Sequence, residues 1–250
     1  MRRRLFFDIE TSYCIGKFWR PGNRLRITSD AIIKHAAIIC ICYKWEGEKE
    51  IHSLTWDRKQ DDKGMLKKFI EIANMATELV AHNGDKFDLR WIRTRCLFHR
   101  LPLFPDYTTI DTLKGARTKF LFPDNKLNTI GKYLSVGQKV KNEEGLWDKV
   151  ILNKCQKSLE KMVKYCKGDV KLLEDVFNEL SAHLKPKVHF GVSVGEDRCS
   201  CPNCGSYDHV KVRINTTATG YERRQLQCNT CHHHFTTSKD YYDKNINKFV

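Results

Sequence analysis

A chain of 250 residues can bury a sizeable core, and its composition, 41% apolar and 30% charged with six prolines, excludes a disordered or fibrous protein. The 44 Lys and Arg outnumber the 30 Asp and Glu, and the net charge of +14 favours a polyanionic partner, nucleic acid above all. A merely basic surface is the alternative. The longest apolar run, Ala36 to Tyr43, is far shorter than the roughly 20 residues of a membrane-spanning helix, and the N-terminal segment shows no signal-peptide core. We therefore expect no membrane association and a cytoplasmic location.

The eleven cysteines fall into two groups that indicate two domains. Six are scattered through the first 195 residues, whereas five lie between residues 199 and 231, where their spacing is typical of metal binding. Of the charge surplus, +12 belongs to the first 195 residues. We expect a first domain over residues 1–188, a linker over 189–198, and a cysteine-rich module with a tail over 199–250.

Apolar periodicity predicts strands and helices in the first domain. In chain order, strands are expected over 5–10, 36–45 and 50–55 with a hairpin turn at 46–49, then a helix over 61–76, a short strand over 79–81, a helix over about 86–99, a strand over 109–112, a short helix over 126–134 and a long helix over 156–184. The first three strands are expected to pair in antiparallel fashion. The long helix is the clearest prediction, because its apolar residues form one stripe along most of its length.

The first strand contains two carboxylates, Asp8 and Glu10. Because they are two residues apart, they point from the same face, with Cα atoms about 6.6 to 7 Å apart. Neighbouring carboxylates on an apolar strand repel each other and lose hydration on burial, so the pair favours a shared cation. A strand whose second face is solvated is the alternative.

Two further carboxylates belong to predicted helices. Asp88 follows Phe87 at the start of one helix, where it is either a first-turn residue that the helix dipole stabilises or part of a site, and Asp85 is better placed as a simple cap. Asp169 lies on the apolar stripe of the long helix, one turn after Tyr165. A carboxylate in that position needs a partner, either a lysine or a metal ion.

As a set, these residues resemble the three motifs of the DnaQ-like (DEDD) 3′-to-5′ exonucleases of the ribonuclease H-like superfamily. Asp8-Ile9-Glu10 is similar to the first motif, Asn83 with Phe87-Asp88 to the second, and Tyr165 with Asp169 to the third in its Tyr version. Order and spacing agree over residues 4 to about 184. Segments between the motifs resemble phage-encoded and bacterial members: Ile110-Asp111-Thr112-Leu113, Asn125-Lys126-Leu127 and Leu146-Trp147.

The resemblance implies an α/β fold, with a ribonuclease H-like mixed sheet and flanking helices. It also implies that Asp8, Glu10, Asp88 and Asp169 hold two divalent ions, Mg²⁺ or Mn²⁺, about 3.5 to 4 Å apart around the scissile phosphate, which suits an all-oxygen ligand set. One ion would activate the attacking water and the other would stabilise the leaving oxygen. Tyr165 has an ordinary pKa near 10 and is a poor base, so we expect it to orient that water.

Nucleic-acid contacts are expected from Thr11, Asn83, Trp19 and Arg20. The segment from Lys17 to Arg26 mixes cations with Phe18 and Trp19, a combination suited to backbone charge and base stacking, and a solvated loop with a packed Trp19 is the alternative. Its cations are Lys17, Arg20, Arg24 and Arg26. His82 is expected to be structural. A second basic strip, or else a solubilising surface, comprises Lys114, Arg117, Lys119, Lys126, Lys132, Lys139 and Lys141.

The cysteine-rich module contains two C-x2-C pairs, Cys201 with Cys204 and Cys228 with Cys231, separated by 23 residues. Four thiolates suit one structural Zn²⁺, whose binding supplies folding energy that about 40 residues cannot obtain from a core. The segments 210–213 and 224–227 alternate like hairpin strands, and the module resembles a small β-rich zinc ribbon, of the kind attached to transposases and transcription proteins. The module departs from the zinc-ribbon pattern at His232, a position where Gly is usual. Two replacements remain open: Cys199 for Cys201, or a histidine of 232–234 for Cys231.

The expected function is metal-dependent 3′-to-5′ exonuclease activity, preferably on single-stranded DNA, with the zinc ribbon positioning the substrate or a partner. An RNA exonuclease is one alternative, because the motifs do not locate the contacts that distinguish the 2′-hydroxyl. The other alternative is a catalytically silent nucleic-acid-binding adaptor. A replication or repair protein is a further expected partner, and a phage-encoded chain would act in the host cytoplasm.

Overall fold

The computed structural model describes residues 4–20, 27–102, 107–245 and 247. The strands in these residues are β1 (Arg4–Thr11), β2 (Ile15–Gly16), β3 (Ile32–Lys34), β4 (Ile38–Trp45), β5 (His52–Thr55), β6 (Glu78–Ala81), β7 (Thr109–Asp111), β8 (His209–Thr216), β9 (Glu222–Cys228) and β10 (His234–Ser238). The α-helices are α1 (Lys63–Asn74), α2 (Asp88–Phe98), α3 (Thr112–Lys119), α4 (Leu127–Tyr133), α5 (Leu146–Ile151), α6 (Gln156–Ser181), α7 (Phe190–Ser193) and α8 (Lys239–Lys244).

A mixed sheet of five strands, ordered β5-β4-β1-β6-β7, forms the centre of the first domain. β1 pairs antiparallel with β4 and parallel with β6. The outer strands continue this pattern, since β5 is antiparallel to β4 and β7 is parallel to β6. The predicted mixed sheet with flanking helices is confirmed, and it places β1, the strand of the two carboxylates, in the middle.

Each face of the sheet buries its own hydrophobic core, because successive side chains of a strand point to opposite faces. Leu5 and Phe7 belong to the core that includes α1 and α2. Phe6 belongs to the core that includes α6, where its ring centroid lies 5.3 Å from that of Phe177. Asp8 and Glu10 follow Phe6 at even spacing, so they lie on the face that α6 covers.

The long helix α6 confirms the predicted apolar stripe. Met162, Cys166, Val170 and Phe177 are buried, and Asp169 is buried among them at 2% exposure. The helix ends at Ser181, three residues before the predicted end, and Ala182 caps it. Neither α6 nor any other helix in the described part of the chain is long and apolar enough to span a membrane.

The other predicted elements are present, with ends that differ by a few residues. Several elements in the described part of the first domain have no counterpart in the periodicity: the small β2–β3 hairpin, a 3-10 helix at Ser29–Ala31 and the helices α3 and α5. Each has eight residues or fewer, which is too short for a recurring apolar pattern. The segment expected to be a linker, 189–198, contains the one-turn helix α7.

The cysteine-rich module folds as a three-stranded antiparallel sheet, ordered β10-β9-β8, which includes the predicted hairpin. A buried contact and a partly buried contact hold it against the first domain. The Arg4 guanidinium donates to Asn203 Oδ1 at 3.1 Å, and His233 Nδ1 lies 2.9 Å from the carbonyl oxygen of Ala182 at the end of α6. The module therefore has a defined position beside α6.

Candidate active site

The two carboxylates of β1 lie opposite two thiols of β4. The antiparallel register pairs Asp8 with Cys42 and Glu10 with Cys40, and it shifts between Glu10 and Thr11, where the strand pairing becomes irregular. Cys166 of α6 completes a cluster in which the three sulfur atoms lie within 4.8 Å of one another. The same Cys166 sulfur lies 3.6 Å from Asp8 Oδ2. The sequence does not predict this cluster of three thiols, because it depends on the register of β4 against β1.

Asp88 reaches the site from the start of α2. The backbone N–H groups of Ile9 and of Asp88 itself lie beside its carboxylate and lower its pKa, against the larger effect of burial, and Asp88 is 2% exposed. The preceding turn has a left-handed residue, Asn83 at φ 71°. Asp111 stabilises this turn, since its Oδ1 accepts the N–H of Asn83 at 3.0 Å while the carboxylate also caps α3.

The neighbouring Asp85 does not act as a helix cap. Its Oδ1 accepts a hydrogen bond from the Thr109 hydroxyl at 2.6 Å, so it ties the turn to β7. Asp88 itself is not the N-cap either, because that position belongs to Phe87. The interpretation of Asp85 as a cap is therefore wrong, whereas Asp88 is in the first turn of α2, as one of its two interpretations predicted. Side-chain contacts from β7 hold the turn before α2.

Asp169 and Tyr165 approach the strand from α6, one turn apart. The Asp169 carboxylate pairs with Lys139, whose Nζ lies 2.6 Å from Oδ2, and the same Nζ lies 3.5 Å from the Tyr165 hydroxyl oxygen. Tyr165 also hydrogen-bonds to Asp169 and lowers its pKa, against the larger effect of burial. Sequence reasoning placed Lys139 in a surface strip, yet its ammonium group belongs to this cluster.

Burial and mutual repulsion raise the pKa values of the carboxylates. Burial raises the pKa of Glu10 to about 8 and that of Asp88 to about 7. The pKa of Asp8 lies well above its ordinary value because of burial and the charges of Asp88, Glu10 and Asp169. The Lys139 ammonium opposes these shifts, and its own pKa is raised in turn. One ammonium group does not neutralise four carboxylates, so the cluster favours additional cations.

Two carboxylate oxygens in this cluster are buried without a hydrogen-bond partner, Oδ1 of Asp88 and Oδ1 of Asp169. A buried polar atom without a partner is costly, and a metal ion is one group that removes the cost. Hard divalent cations such as Mg²⁺ and Mn²⁺ prefer oxygen ligands of this kind. The carboxylates of Asp8, Glu10, Asp88 and Asp169 therefore fit such ions.

His82 is structural, as predicted. Its Nδ1 lies 2.9 Å from the Thr112 hydroxyl and its Nε2 lies 2.9 Å from the carbonyl oxygen of Asn125, so both ring nitrogens are engaged within the protein. Burial also lowers its pKa. A surface cleft of about 680 Å³ begins beside this residue and includes Asn83, Arg117 and Lys139 in its lining, so it adjoins the carboxylates.

The expected aromatic contact, Trp19, is fully exposed, and the alternative of a packed Trp19 is wrong. Arg20 has no contact with the carboxylates among the described interactions, and Arg24 and Arg26 lie outside the described residues. Thr11 lies at the end of β1, where its carbonyl oxygen accepts a hydrogen bond from Trp147 Nε1 at 3.1 Å. Thr11 thus borders the carboxylates, whereas Trp19 and Arg20 are surface residues.

The second candidate metal centre lies in the cysteine-rich module. The sulfur atoms of Cys201, Cys204, Cys228 and Cys231 lie within 4.8 Å of one another, a group that excludes Cys199 and the histidines of 232–234. His232 adopts the left-handed conformation at φ 57° that favours glycine. Cys201 and Cys231 lie 3.6 Å apart and Cys204 and Cys228 lie 3.5 Å apart, sulfur to sulfur, so the four thiols contact one another directly.

Comparisons with known proteins agree with this architecture. The model of the family RNase_H_2, described as RNase_H superfamily, matches residues 33–181, a segment that includes Asp88, Tyr165 and Asp169. A similar fold occurs in the family B DNA polymerase from the hyperthermophilic archaeon Pyrobaculum calidifontis, with a TM-score of 0.54 and 14% sequence identity. That similarity covers 73% of this chain and 25% of the polymerase chain, so this chain spans about a quarter of the polymerase's length. No curated protein matches the sequence.

Proposed function

The chain belongs to the RNase_H superfamily, and from this premise we propose that it is a metal-dependent nuclease. In detail, we propose a DnaQ-like 3′-to-5′ exonuclease that hydrolyses phosphodiester bonds, preferably of single-stranded DNA. The observation that carries the proposal is the convergence of four carboxylates from β1, α2 and α6 on one buried site, where two of their oxygens have no partner. Such a cluster is costly to keep unless cations share it, and nuclease chemistry requires those cations.

Four residues would hold the divalent ions: Asp8, Glu10, Asp88 and Asp169. When bound, two Mg²⁺ or Mn²⁺ ions supply the activation of a water molecule and the stabilisation of charge on the leaving oxygen. The fold holds these carboxylates in fixed positions, because β1 is the central strand of the sheet and α6 is packed against it. Rigid placement of this kind is what phosphoryl-transfer sites need.

Tyr165 is the proposed positioning group for the attacking water. Burial and the charge of Asp169 raise its pKa above the ordinary value near 10, so the hydroxyl stays protonated at neutral pH. It therefore holds water by hydrogen bonding and does not remove its proton. Lys139, 3.5 Å from the same hydroxyl, supplies a positive charge beside the site. Asn83 and Lys139 line the adjoining cleft, which is available to the terminal nucleotides.

For the cysteine-rich module we propose one structural Zn²⁺ bound by Cys201, Cys204, Cys228 and Cys231. The four sulfur atoms already form a compact group, and a set of four cysteine ligands is a closed tetrahedral site with no ligand position left for catalysis. The proposed ribbon therefore contributes to folding and to recognition, and hydrolysis is assigned to the first domain alone.

The test is digestion of 5′-labelled single-stranded DNA and RNA of matched sequence with Mg²⁺ or Mn²⁺. The variants to compare are Asp169→Asn and its control Asp175→Asn, an aspartate on the same helix that pairs at the surface with Lys171. We expect a ladder that shortens from the 3′ end with the wild type and the control, and no products with Asp169→Asn or with EDTA. The preferred sugar identifies the substrate.

Immediate release of the 5′ label as a mononucleotide would contradict the proposed polarity, and cleavage within the strand would contradict exonuclease action. Absence of metal-dependent cleavage of either strand by the folded wild-type protein would contradict the nuclease itself. The nucleic-acid-binding adaptor would then be the better account of the charge and the fold.

A further inference from the structure

A large cleft separates the first domain from the cysteine-rich module, on the side of the module that carries β10. Its volume is about 850 Å³, towards the upper end of the roughly 300–1,000 Å³ of ligand pockets. The end of α6 and the segment after it form one wall, with His183 and Lys185. Arg198 and β10 form the opposite wall, and Lys119 at the end of α3 borders it. Neither the carboxylates nor the four clustered cysteines contribute to this lining.

The charged residues that line this interdomain cleft are all positive. Lys119, Lys185 and Arg198 line it with exposed side chains, and its lining includes no Asp or Glu, although the chain has 30 of them. The nearby carboxylate of Asp197 accepts hydrogen bonds from the Tyr241 hydroxyl and from the backbone N–H of Cys199. The lining therefore carries three cations, with the Asp197 carboxylate beside them, and this surplus of positive charge attracts a polyanion.

The neutral groups of the cleft also suit a nucleic-acid strand. β10 contributes Thr236, Thr237 and Ser238 to the lining, and hydroxyl side chains of this kind donate hydrogen bonds to phosphate oxygens. The rings of Phe235 and Tyr241 line the same cleft and are partly exposed, as stacking on bases requires. Cations, hydroxyls and aromatic rings together are typical of surfaces that bind single strands, and a smooth duplex backbone would leave the rings unused.

The position of the cleft connects it to the proposed active site through one helix. Arg117 of α3 lines the smaller cleft that includes Asn83 and Lys139, and Lys119, two residues later on α3, lines the interdomain cleft. The contacts of Arg4 with Asn203 and of His233 with Ala182 join the first domain to the cysteine-rich module and fix the two walls of the cleft relative to each other. A nucleic-acid strand that enters the smaller cleft and continues past α3 thus meets the cations of the interdomain cleft.

We propose that the interdomain cleft binds the phosphate backbone of a single nucleic-acid strand. The assignment gives the cysteine-rich module a function, because β10 supplies one wall of the binding site. The identification of that strand as substrate rests on the proposed nuclease activity, whereas binding in the cleft does not require hydrolysis. The two claims are therefore separable by experiment.

The test is the affinity of a fluorescent oligothymidylate of about 20 nucleotides, measured by anisotropy with the full-length protein carrying Asp88→Asn to prevent hydrolysis. Lys185→Glu with Arg198→Glu should weaken binding about tenfold or more at 0.1 M salt, and losing two phosphate contacts should lower the salt slope by about 1.4. The matched control reverses two exposed lysines of α1 on the other face of the sheet, Lys67→Glu with Lys68→Glu. This control should change the affinity by less than about twofold.

Zinc content and circular dichroism establish that the cleft variant is folded. If the double reversal misfolds, Lys185→Gln with Arg198→Gln replaces it and should weaken binding by a smaller factor in the same direction. Crosslinking of 5-iodouridine-containing DNA should label the peptide that contains Phe235 and Tyr241. Unchanged affinity and salt slope in a folded cleft variant, or an equal loss in the α1 control, would overturn the proposal.

A parallel assay separates this proposal from the nuclease. The otherwise wild-type chain is assayed for hydrolysis of the same oligothymidylate with Mn²⁺, beside the affinity measurement on the cleft variant. If the wild-type chain hydrolyses nothing but the cleft variant still loses affinity, the cleft assignment stands and the nuclease fails. If hydrolysis is present and the affinity is unchanged, the cleft assignment alone fails.

Discussion

The two candidate metal centres of this chain differ in almost every physical respect. The carboxylate site collects oxygen ligands from three separate elements, and burial and mutual repulsion keep the pKa values of its carboxylates high, with two oxygens unpartnered. The cysteine site collects four sulfur atoms from the turn before β8 and from the end of β9 and the turn after it, and they lie within 4.8 Å of one another. A site that is unstable without cations is typical of a catalytic metal centre, whereas a compact site with four cysteine ligands is typical of a structural zinc that stabilises the fold.

The comparison predicts that a ligand of the cysteine site is essential for structure but not for hydrolysis. Cys228→Ser should remove the zinc and unfold the module, because structural Zn²⁺ binding is worth roughly 10–16 kcal/mol in small zinc domains. Hydrolysis of a dinucleotide by the first domain should persist within a few fold. Metal analysis by mass spectrometry and a dinucleotide assay provide the two measurements. Cys199→Ser is the control and should retain one zinc ion.

A ligand of the carboxylate site should show the reverse pattern. Asp88→Asn should lower the hydrolysis rate by about 1,000-fold or more, because each roughly 1.4 kcal/mol of lost metal-mediated stabilisation costs a factor of ten. Without divalent ions, the Asp88→Asn protein should melt at the same temperature as the wild type or at a higher one. The substitution removes a buried carboxyl group whose ionised form is costly, as its pKa of about 7 indicates. A fall in both activity and melting temperature would instead assign Asp88 a structural role.

Tyr165→Phe should have an intermediate effect. Loss of the hydroxyl that orients water should lower kcat roughly 10- to 100-fold and leave metal affinity unchanged, because the tyrosine is not a ligand. Rate measurements at saturating Mn²⁺, together with a Mn²⁺ titration, separate these effects. Tyr133→Phe, at an exposed tyrosine of α4, is the control. If Tyr165→Phe weakened Mn²⁺ binding as much as it lowered kcat, the positioning role would be wrong.

The smallest expected effect is the pH dependence of stability without divalent ions. Burial raises the pKa of Glu10 to about 8 and that of Asp88 to about 7, above the values near 4 of an unfolded chain. At Glu10 and Asp88 the folded protein therefore holds protons that the unfolded protein has released, and the stability that these two groups contribute falls as the pH rises from about 5 through 8. Histidines whose pKa is lowered by burial, among them His82 and His233, act in the opposite direction, so the test is the difference between the wild type and Glu10→Gln. The melting temperature of the wild type should fall relative to that of Glu10→Gln as the pH rises, and the difference should shrink with saturating Mn²⁺. A difference that does not change with pH, or that changes in the opposite direction, would contradict the assigned shifts.

The main elements of the first domain were predictable because their patterns are local. The alternation around Phe6 and the stripe of α6 follow from burial on one face, and both place carboxylates among apolar residues. The β2–β3 hairpin, α3 and α5 were not predictable, since their few residues give no recurring pattern. The one-turn helix α7 was missed for the same reason.

The parts of the site that could not be predicted depend on contacts between distant residues. Cys40 and Cys42 meet Glu10 and Asp8 only through the register of β4 against β1. Lys139 lies 30 residues before its partner Asp169, on a segment with no helix or strand, so nothing local distinguishes it from a surface lysine. The interdomain cleft likewise depends on how the cysteine-rich module packs against α6.

The most direct test of the central claim, that the four carboxylates form a site for hard divalent cations, is a Mn²⁺ titration followed by electron paramagnetic resonance. The zinc-loaded protein should be titrated in the presence of thymidine 5′-monophosphate, whose phosphate completes such sites. We predict two bound Mn²⁺ per wild-type chain and per Asp175→Asn chain, and at most one per Asp169→Asn chain. The same number of bound ions in all three proteins, or none in the wild type, would contradict the claim.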